Sequence, residues 1–477
     1  MISICPRYPV QRQPNSEIPA WALAPLARAW PRIVLVALHV LPSLGLLLRT
    51  SACSALPSFA SQTGLPCTQC HLVGFGPALT PYGRQFKLSG YVFGGGSTFI
   101  PLAGMVLMGF THTGADQPTP PAAGFGLNND VSLDQVSGFY GGRIAPNVGA
   151  FVQVTYDGVA RHTAWDNLDV RYARTLSLGS HGAVLGVSVN NNPTVQDLWN
   201  SIPAWGFPYV ASPLAPAPAA ATLVSGTLSG VSLGATAYAM IDDWVYLEAG
   251  GYKGLTNRTL SDVGLYPGNN INLDGLALYA RAVVQHSTGS QSWSAGLLEL
   301  QAKLRPDRRI SATDGYRDLG VDATYEYLAA PTGSVQANLS YIHESRTLNQ
   351  SAASGGATYS SGKLDTFNAN VTYVYRQTWA ATLAWFEATG NVDPLFYPSG
   401  SVTGSANGSP DSVGYALGIE CIPFGKLSSL ARPYLNLRAG LQYTIYSRFN
   451  GGTSNYDGEG RSASQNDTLY GYIWIAF

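Results

Sequence analysis

Two thiols and an imidazole stand together early in the chain, in Cys67-Thr68-Gln69-Cys70-His71. C-x-x-C-H is the attachment signature of a c-type haem, and its spacing has a chemical cause. Two thiols at this spacing sit one helical turn apart and reach the two vinyl groups of a porphyrin, while the imidazole next in line ligates the iron. Other uses of a cysteine pair lack partners here. A structural zinc site wants four ligands, and no second pair follows at a suitable spacing. A thioredoxin-type pair needs a βαβ setting, which the Gly-rich sequence after Gly90 does not offer. Of the five cysteines, Cys5 and Cys53 lie in or beside an N-terminal leader and Cys421 reads as a small apolar strand residue, so no disulfide framework can be built. The expected cofactor is one covalent haem c, anchored by Cys67 and Cys70 with His71 as axial ligand. Met105, Met108 and His112 are the nearest candidates for a sixth ligand. Each also has a plainer reading, the methionines as apolar strand contacts and His112 as a loop-edge residue.

Haem c is attached outside the cytoplasm, and the N-terminus is consistent with export. Arg28 and Arg32 precede an apolar run from Ile33 to Leu48, followed by the small residues Ser51 to Ala55. This is the layout of a secretory signal, expected over residues 1–55 with a long n-region. At about 16 residues, with Pro42 inside it, the run is short for a membrane-spanning helix. A charged fraction of 12% is half the usual level of about a quarter. The formal net charge of −1 offers no field for nucleic acid, which is excluded as a partner.

From about residue 98 the chain becomes a series of period-two segments. Phe367, Ala369, Val371, Tyr373 and Tyr375 alternate with Asn368, Asn370, Thr372 and Arg376; Leu435, Leu437, Ala439, Leu441 and Tyr443 alternate with Asn436, Arg438, Gln442 and Thr444. A soluble sandwich would alternate too. Three features favour a membrane barrel. About sixteen strands can be placed, an even number, and their connections alternate between short turns and long loops, as in outer-membrane barrels. The expected turns include 145–147, 179–182, 242–243, 287–290 and 377–378; the expected outer loops include 113–130, 192–222, 255–272, 349–362, 390–409 and 450–466. The third feature is the C-terminal segment, with Leu469, Gly471, Ile473, Ile475 and Phe477 on one face and Tyr470, Tyr472 and Trp474 on the other, which looks like a barrel insertion signal. The fold class is therefore all-β: a transmembrane antiparallel barrel over residues 98–477, preceded by a monohaem segment over 56–97. A barrel of this size encloses a wide aqueous channel that the small haem segment can plug, with Gly94-Gly95-Gly96 as the hinge into the first strand. A periplasmic tether is the other arrangement the sequence permits.

The stretch from Ala55 to His71, with Ala55, Pro57, Phe59, Ala60, Thr63, Gly64 and the C-x-x-C-H motif in register, resembles the start of the fused monohaem cytochrome c-porin family of the outer membrane. Pro81-Tyr82-Gly83-Arg84-Gln85-Phe86-Lys87 is similar to that family as well. Ser61 departs from it, standing where the family has Arg. The resemblance implies an outer-membrane location and an electron path from an extracellular reductant, iron(II) in the best-known members, to a periplasmic soluble cytochrome c or similar carrier. An iron(II):cytochrome c oxidoreductase activity would follow. Two other functions stay open: a transport porin whose haem plug gates or senses, and a haem enzyme acting on a small ligand or peroxide. Loops rich in Asn, Asp and Ser, such as 450–466, have oxygen ligands for iron(II) or are simply solvated. Asp169, Glu299 and Glu344 fall on strands and are expected to face the lumen. No Ser-His-Asp set or phosphate loop is present.

Overall fold

The computed structural model describes residues 57–94, 101–265, 272–307, 311–329, 332–429, 431 and 434–477. The expected signal over 1–55, with Cys5 and Cys53, lies outside these residues, as do Gly95 and Gly96 of the expected hinge.

Sixteen antiparallel strands close into one ring in which each pairs with its sequence neighbours and the first pairs with the last. They are β1 (Leu102–Thr113), β2 (Asp130–Ala145), β3 (Val148–Asp157), β4 (His162–Leu178), β5 (His181–Asn190), β6 (Ser232–Ile241), β7 (Val245–Gly254) and β8 (Asn272–Thr288). Then follow β9 (Gln291–Arg305), β10 (Asp314–Ala329), β11 (Gly333–Thr347), β12 (Ser361–Tyr375), β13 (Trp379–Gly390), β14 (Ser412–Cys421), β15 (Asn436–Arg448) and β16 (Thr468–Ala476). Closure leaves no edge, so every strand's backbone groups are paired within the ring, the condition for crossing lipid. Period two then sorts the side chains. Leu278, Leu297, Leu383, Leu417 and Ile419 stand on the outer surface, 48–62% exposed. Around the short-turn end, Trp293, Tyr325, Tyr327, Tyr373, Tyr375 and Trp379 form an exposed aromatic girdle, as expected where a barrel meets the membrane interface.

The connections depart from strict alternation at two places. The β3–β4 connection is short although it lies at the loop end, and the β14–β15 connection, 422–435, is long although it lies at the turn end. Glu299 corrects another expectation. It shares the outward face with Leu297, and its carboxylate accepts from Arg317 Nε at 2.7 Å on the outside. Asp169 and Glu344, in contrast, are buried in the lumen.

The lumen is filled from both ends. At the turn end sit three short helices, α1 (Pro57–Thr63), α2 (Cys67–Cys70) and α3 (Pro81–Leu88), bonded to the wall on several sides. Arg84 donates to both carboxylate oxygens of Glu326 on β10 at 3.0 and 2.9 Å and to Ser292 on β9 at 2.7 Å. Tyr91 donates to Asp169 on β4 at 2.6 Å, and Tyr238 on β6 donates to the Leu88 carbonyl at 2.7 Å. From β15, Asn436 and Arg438 donate to the Gly74 and Phe75 carbonyls, each at 2.9 Å. The segment is a lumen plug rather than a tether.

From the other side comes the β5–β6 connection, expected as an outer loop. Its residues 191–202 are buried because the loop folds inward across the lumen. Arg281 on β8 pairs with Asp197 at 3.0 Å and with Asp322 on β10 at 2.9 Å. The Val224 amide donates to Asp318 at 2.7 Å, and Asn368 on β12 donates to the Phe207 carbonyl at 2.7 Å. Lys87 Nζ of the plug donates to the carbonyls of Val195 and Asp197 at 2.9 and 2.5 Å and to Asn200 Oδ1 at 3.0 Å. Loop and plug thus meet, and buried charges in both find partners, as burial requires.

Candidate functional site

Cys67 and Cys70 open and close the single turn of α2, and the His71 amide donates to the Cys67 carbonyl at 2.8 Å. The turn is held from one side by α3. Thr80 caps α3 by accepting from the Gly83 amide, and its hydroxyl donates to the Gln69 carbonyl at 2.6 Å. Gly83 lies so close to α2 that a Cβ there would come 2.2 Å from the Cys70 carbonyl oxygen. Only glycine allows that approach, which accounts for one residue of the stretch from Pro81 to Lys87.

These three residues line one cavity of about 400 Å³, the scale of a cofactor site. Its walls come from plug, barrel and loop together: Phe59, Phe75 and Phe86; Met105, Phe139, Phe151 and Trp474; Trp205 and Tyr209. One stretch of wall is polar, with Gln135, Gln153, Asp166 and Asn167. Three observations bear on a haem. The two cysteines are not joined in a disulfide. His71 Nδ1 is buried with no hydrogen-bond partner. A buried imidazole nitrogen without a protein partner, beside the two cysteines, is available to ligate a metal. Aromatic rings of the plug, the barrel and the loop stand in the walls and offer flat apolar surface to a porphyrin face. The residues present fit the group.

Burial pushes the Cys70 thiol up to about 12, with Cys67 beside it acting in the same sense. Burial lowers His71 to about 4; the Gly76 backbone opposes this and the Arg438 guanidinium adds to it. Arg438 is the cation near this histidine. It comes from β15, is paired with Glu420 at 2.6 Å, and contrasts with Ser61, which brings no charge. A folded value below the imidazole's usual ~6.5 means that the folded chain binds fewer protons than the unfolded one in this window. Without haem, then, plug stability is full above about pH 6.5 and is withdrawn as pH falls toward 4. Ring-proton NMR of the haem-free chain should show His71 titrating near 4; a midpoint near 6.5 would place the ring in water.

Of the three sixth-ligand candidates, Met105 lines the cavity and is 5% exposed, its sulfur accepting from Trp474 Nε1 at 3.1 Å. Met108 and His112 do not line it. Both lie at alternate positions to Met105 on β1, and His112 Nδ1 hydrogen-bonds Asn129 Oδ1 at 2.8 Å in an exposed position. In the loop 450–466, side-chain oxygens are taken up by backbone amides: Asn450 Oδ1 accepts from Ala219 at 3.1 Å, and Asp457 accepts from Glu459 and Arg461. Among the described residues no group of three His, Cys, Asp or Glu is placed to hold a metal ion. Phe75, Trp205, Tyr209 and Arg438 joined the site only through register and loop path, and no local motif marks them.

A closed ring of an even number of antiparallel strands, apolar outside and girdled by aromatics, defines a bacterial outer-membrane β-barrel. No family model matches the chain, and no curated protein matches it. Solved structures similar to it include an anion-selective porin from Comamonas acidovorans, at 12% identity and TM-score 0.42 over 79% of this chain and 98% of that one. Others are OmpF of Salmonella typhi in complex with daunomycin, at 10% and 0.42 over 79% and 97%, and the outer-membrane channel DcaP of Acinetobacter baumannii, at 11% and 0.42 over 79% and 96%. Likeness of this degree carries no function across, and the class assignment rests on the ring itself.

Proposed function

We propose that this barrel carries one covalent haem c on its lumen plug and passes single electrons across the outer membrane, from an extracellular reductant to a periplasmic carrier such as a soluble cytochrome c. One observation carries the reading: the C-x-x-C-H turn faces a cofactor-sized cavity with a bare imidazole nitrogen, in a lumen occupied by the protein's own loop and plug. Electrons can cross such a filled lumen; solutes of ordinary size would need the plug or the loop to leave. Cys67 and Cys70 would hold the haem by thioethers and His71 would bind its iron, which supplies a one-electron couple. Phe75, Phe139, Phe151 and Trp474 would shield the haem from water, and Met105, which lines the cavity, would be the candidate for a further ligand. The resemblance of residues 55–71 to fused cytochrome-porins supports the reading and makes iron(II) the first donor to try. A second reading, a haem enzyme acting on a small ligand or peroxide, draws on the polar wall at Gln135, Gln153, Asp166 and Asn167.

The test uses purified protein in sealed vesicles of known orientation, with iron(II) on an impermeant chelator too large for the lumen. Reduced-haem bands should appear on addition at the loop side, and a periplasmic cytochrome c on the other side should reoxidise them. Reduction only by free iron(II) would favour a porin that admits its donor. Absence of any haem spectrum would end the proposal, and a spectrum that responds to peroxide but to no reductant outside would favour the enzyme.

A further inference from the structure

The connection between β14 and β15 is long at an end where the other turns are short, and its contacts explain the length. Ile422 is fully buried in a cluster with Leu72 and Val73 of the plug, and its amide donates to the Thr378 carbonyl of the β12–β13 turn at 2.7 Å. Gly425 then lies against Gly74, so close that a Cβ on Gly425 would come 2.8 Å from the Gly74 carbonyl oxygen. Its own carbonyl accepts from the Thr68 amide at 3.2 Å. The connection thus rests on the turn between the two cysteines. On that turn Gln69 is exposed, while Leu65, Pro66, Cys67 and Cys70 are half-buried. The C-x-x-C-H turn therefore reaches the surface at the turn end of the barrel, which faces the periplasm.

Packing onto the plug accounts for Ile422 and Gly425 but not for the residues after them. Leu427 is 69% exposed, more than any other large apolar side chain among the described residues. It lines an open hollow with Arg376, Gln377, Lys426, Ser428 and Thr332, and no carboxylate stands in the walls. The neighbouring sequence adds none: residues 57–94, 376–378 and 422–435 contain no Asp or Glu. Exposed side-chain carboxylates at this end, Asp242 and Asp243, sit on the β6–β7 turn, eight strands away in a ring of sixteen and so on the opposite arc. One side of the mouth is positive and the other negative.

We infer that Arg376, Lys426 and Leu427, with Leu65, Pro66 and Gln69 of the plug, form the docking face for a soluble periplasmic electron carrier with an acidic rim around its own cofactor edge. The inference rests on the electron-conduit reading and adds the place and the charge of the partner. Electron transfer between proteins falls steeply with distance, so a carrier must sit where the C-x-x-C-H turn is open. There the chain sets an apolar centre beside a cationic edge. A transient interface is built in this way, with an apolar core that sheds water and a charged rim that steers the approach. Redox encounters of this kind bury less than about 1,200 Å² in total, so a small face suffices. A second copy of this chain cannot cover it, because barrels in one membrane point their turn ends the same way. The exchange takes one electron from the haem to the carrier's oxidised centre, with no bond formed and no proton moved.

The experiment places the haem-loaded protein in nanodiscs of zwitterionic lipid and offers two probes that differ in charge, a basic mitochondrial cytochrome c and the same cytochrome succinylated at its lysines. The succinylated probe should bind more tightly, and raising salt from about 20 to 200 mM should weaken it about tenfold as the rim charges are screened. R376E/K426E should weaken it by about tenfold at low salt and strengthen the basic probe. D242N/D243N, on the opposite arc, should stay within about twofold of the parent. Electron transfer from the reduced protein to each probe should follow the same order. The heat-shifted electrophoretic mobility of a folded barrel checks each variant. Parent-like affinity of R376E/K426E for the succinylated probe would overturn the docking face; if that variant instead loses anionic lipid on purification, the two cations serve phospholipid headgroups. A gain in D242N/D243N as large as the loss in R376E/K426E would overturn it too, leaving only net charge. Failure of the conduit reading looks different: no haem absorbance at all, with charge-dependent binding still readable.

Discussion

The chain carrying Cys67→Ala and Cys70→Ala should fold as a closed barrel and hold no haem through denaturing electrophoresis. The expected loss of haem-stained signal is complete, because both thioether anchors are gone and an axial imidazole bond does not survive denaturant. The barrel should persist because its ring is made by strand pairing among residues 102–476, none of which needs the thiols. Replacing His71 alone should leave the stained band and change the spectrum of the native protein. A stained band in the double cysteine variant would refute the attachment site, and an unchanged spectrum in His71→Ala would assign the iron to another ligand.

Arg84→Ala should loosen the plug. The guanidinium makes a bidentate pair with Glu326 in which the side chains are 6% and 0% exposed, and it donates to Ser292 and the Leu79 carbonyl as well. Removing one partner of a buried pair typically costs ~3–5 kcal/mol, because the other charge is left without compensation. Only Gln336 Nε2, at 2.9 Å, would remain on Glu326 Oε1. The cost falls on the docked state of the plug and not on the ring. Planar-bilayer conductance should therefore rise, and amide exchange in α2 and α3 should quicken, while heat-shifted mobility stays that of a closed barrel. Arg84→Ala with Glu326→Ala should recover part of the loss, since no charge is stranded. Conductance and exchange equal to the parent protein would show that loop contacts alone hold the plug.

Most of the ring was legible because one face meets lipid and the other a polar lumen, so period two survives along each strand. β12, β15 and β16 have the faces read from their alternation. Glu299 was not legible: its carboxylate pairs with Arg317 on the outside of the ring, and with a partner there residue type no longer fixes the face. The inward path of the β5–β6 loop was hidden as well, because Asn, Thr and Pro suit a solvated loop and a packed one equally, and Asp197 finds Arg281 only in three dimensions. In the plug, C-x-x-C-H was plain from spacing. The aromatic walls at Phe139, Phe151 and Trp474 required the register of three strands. Met105 and Met108 could not be told apart until β1 was placed, since a shift of one residue exchanges lumen for lipid.

The seam between β1 and β16 imposes an order in time. β1 directly follows the plug, and its partner is the last strand of the ring, so the circle can close only when both ends of the barrel are in place. By then α1, α2 and α3 are enclosed by strands on several sides and faced by the loop from above. An enzyme that joins a porphyrin to Cys67 and Cys70 needs both thiols in hand, and after closure it would meet walls. On the proposed function, haem would therefore have to be joined while the strands are still an open chain, and the finished barrel would serve as the container of a part made beforehand.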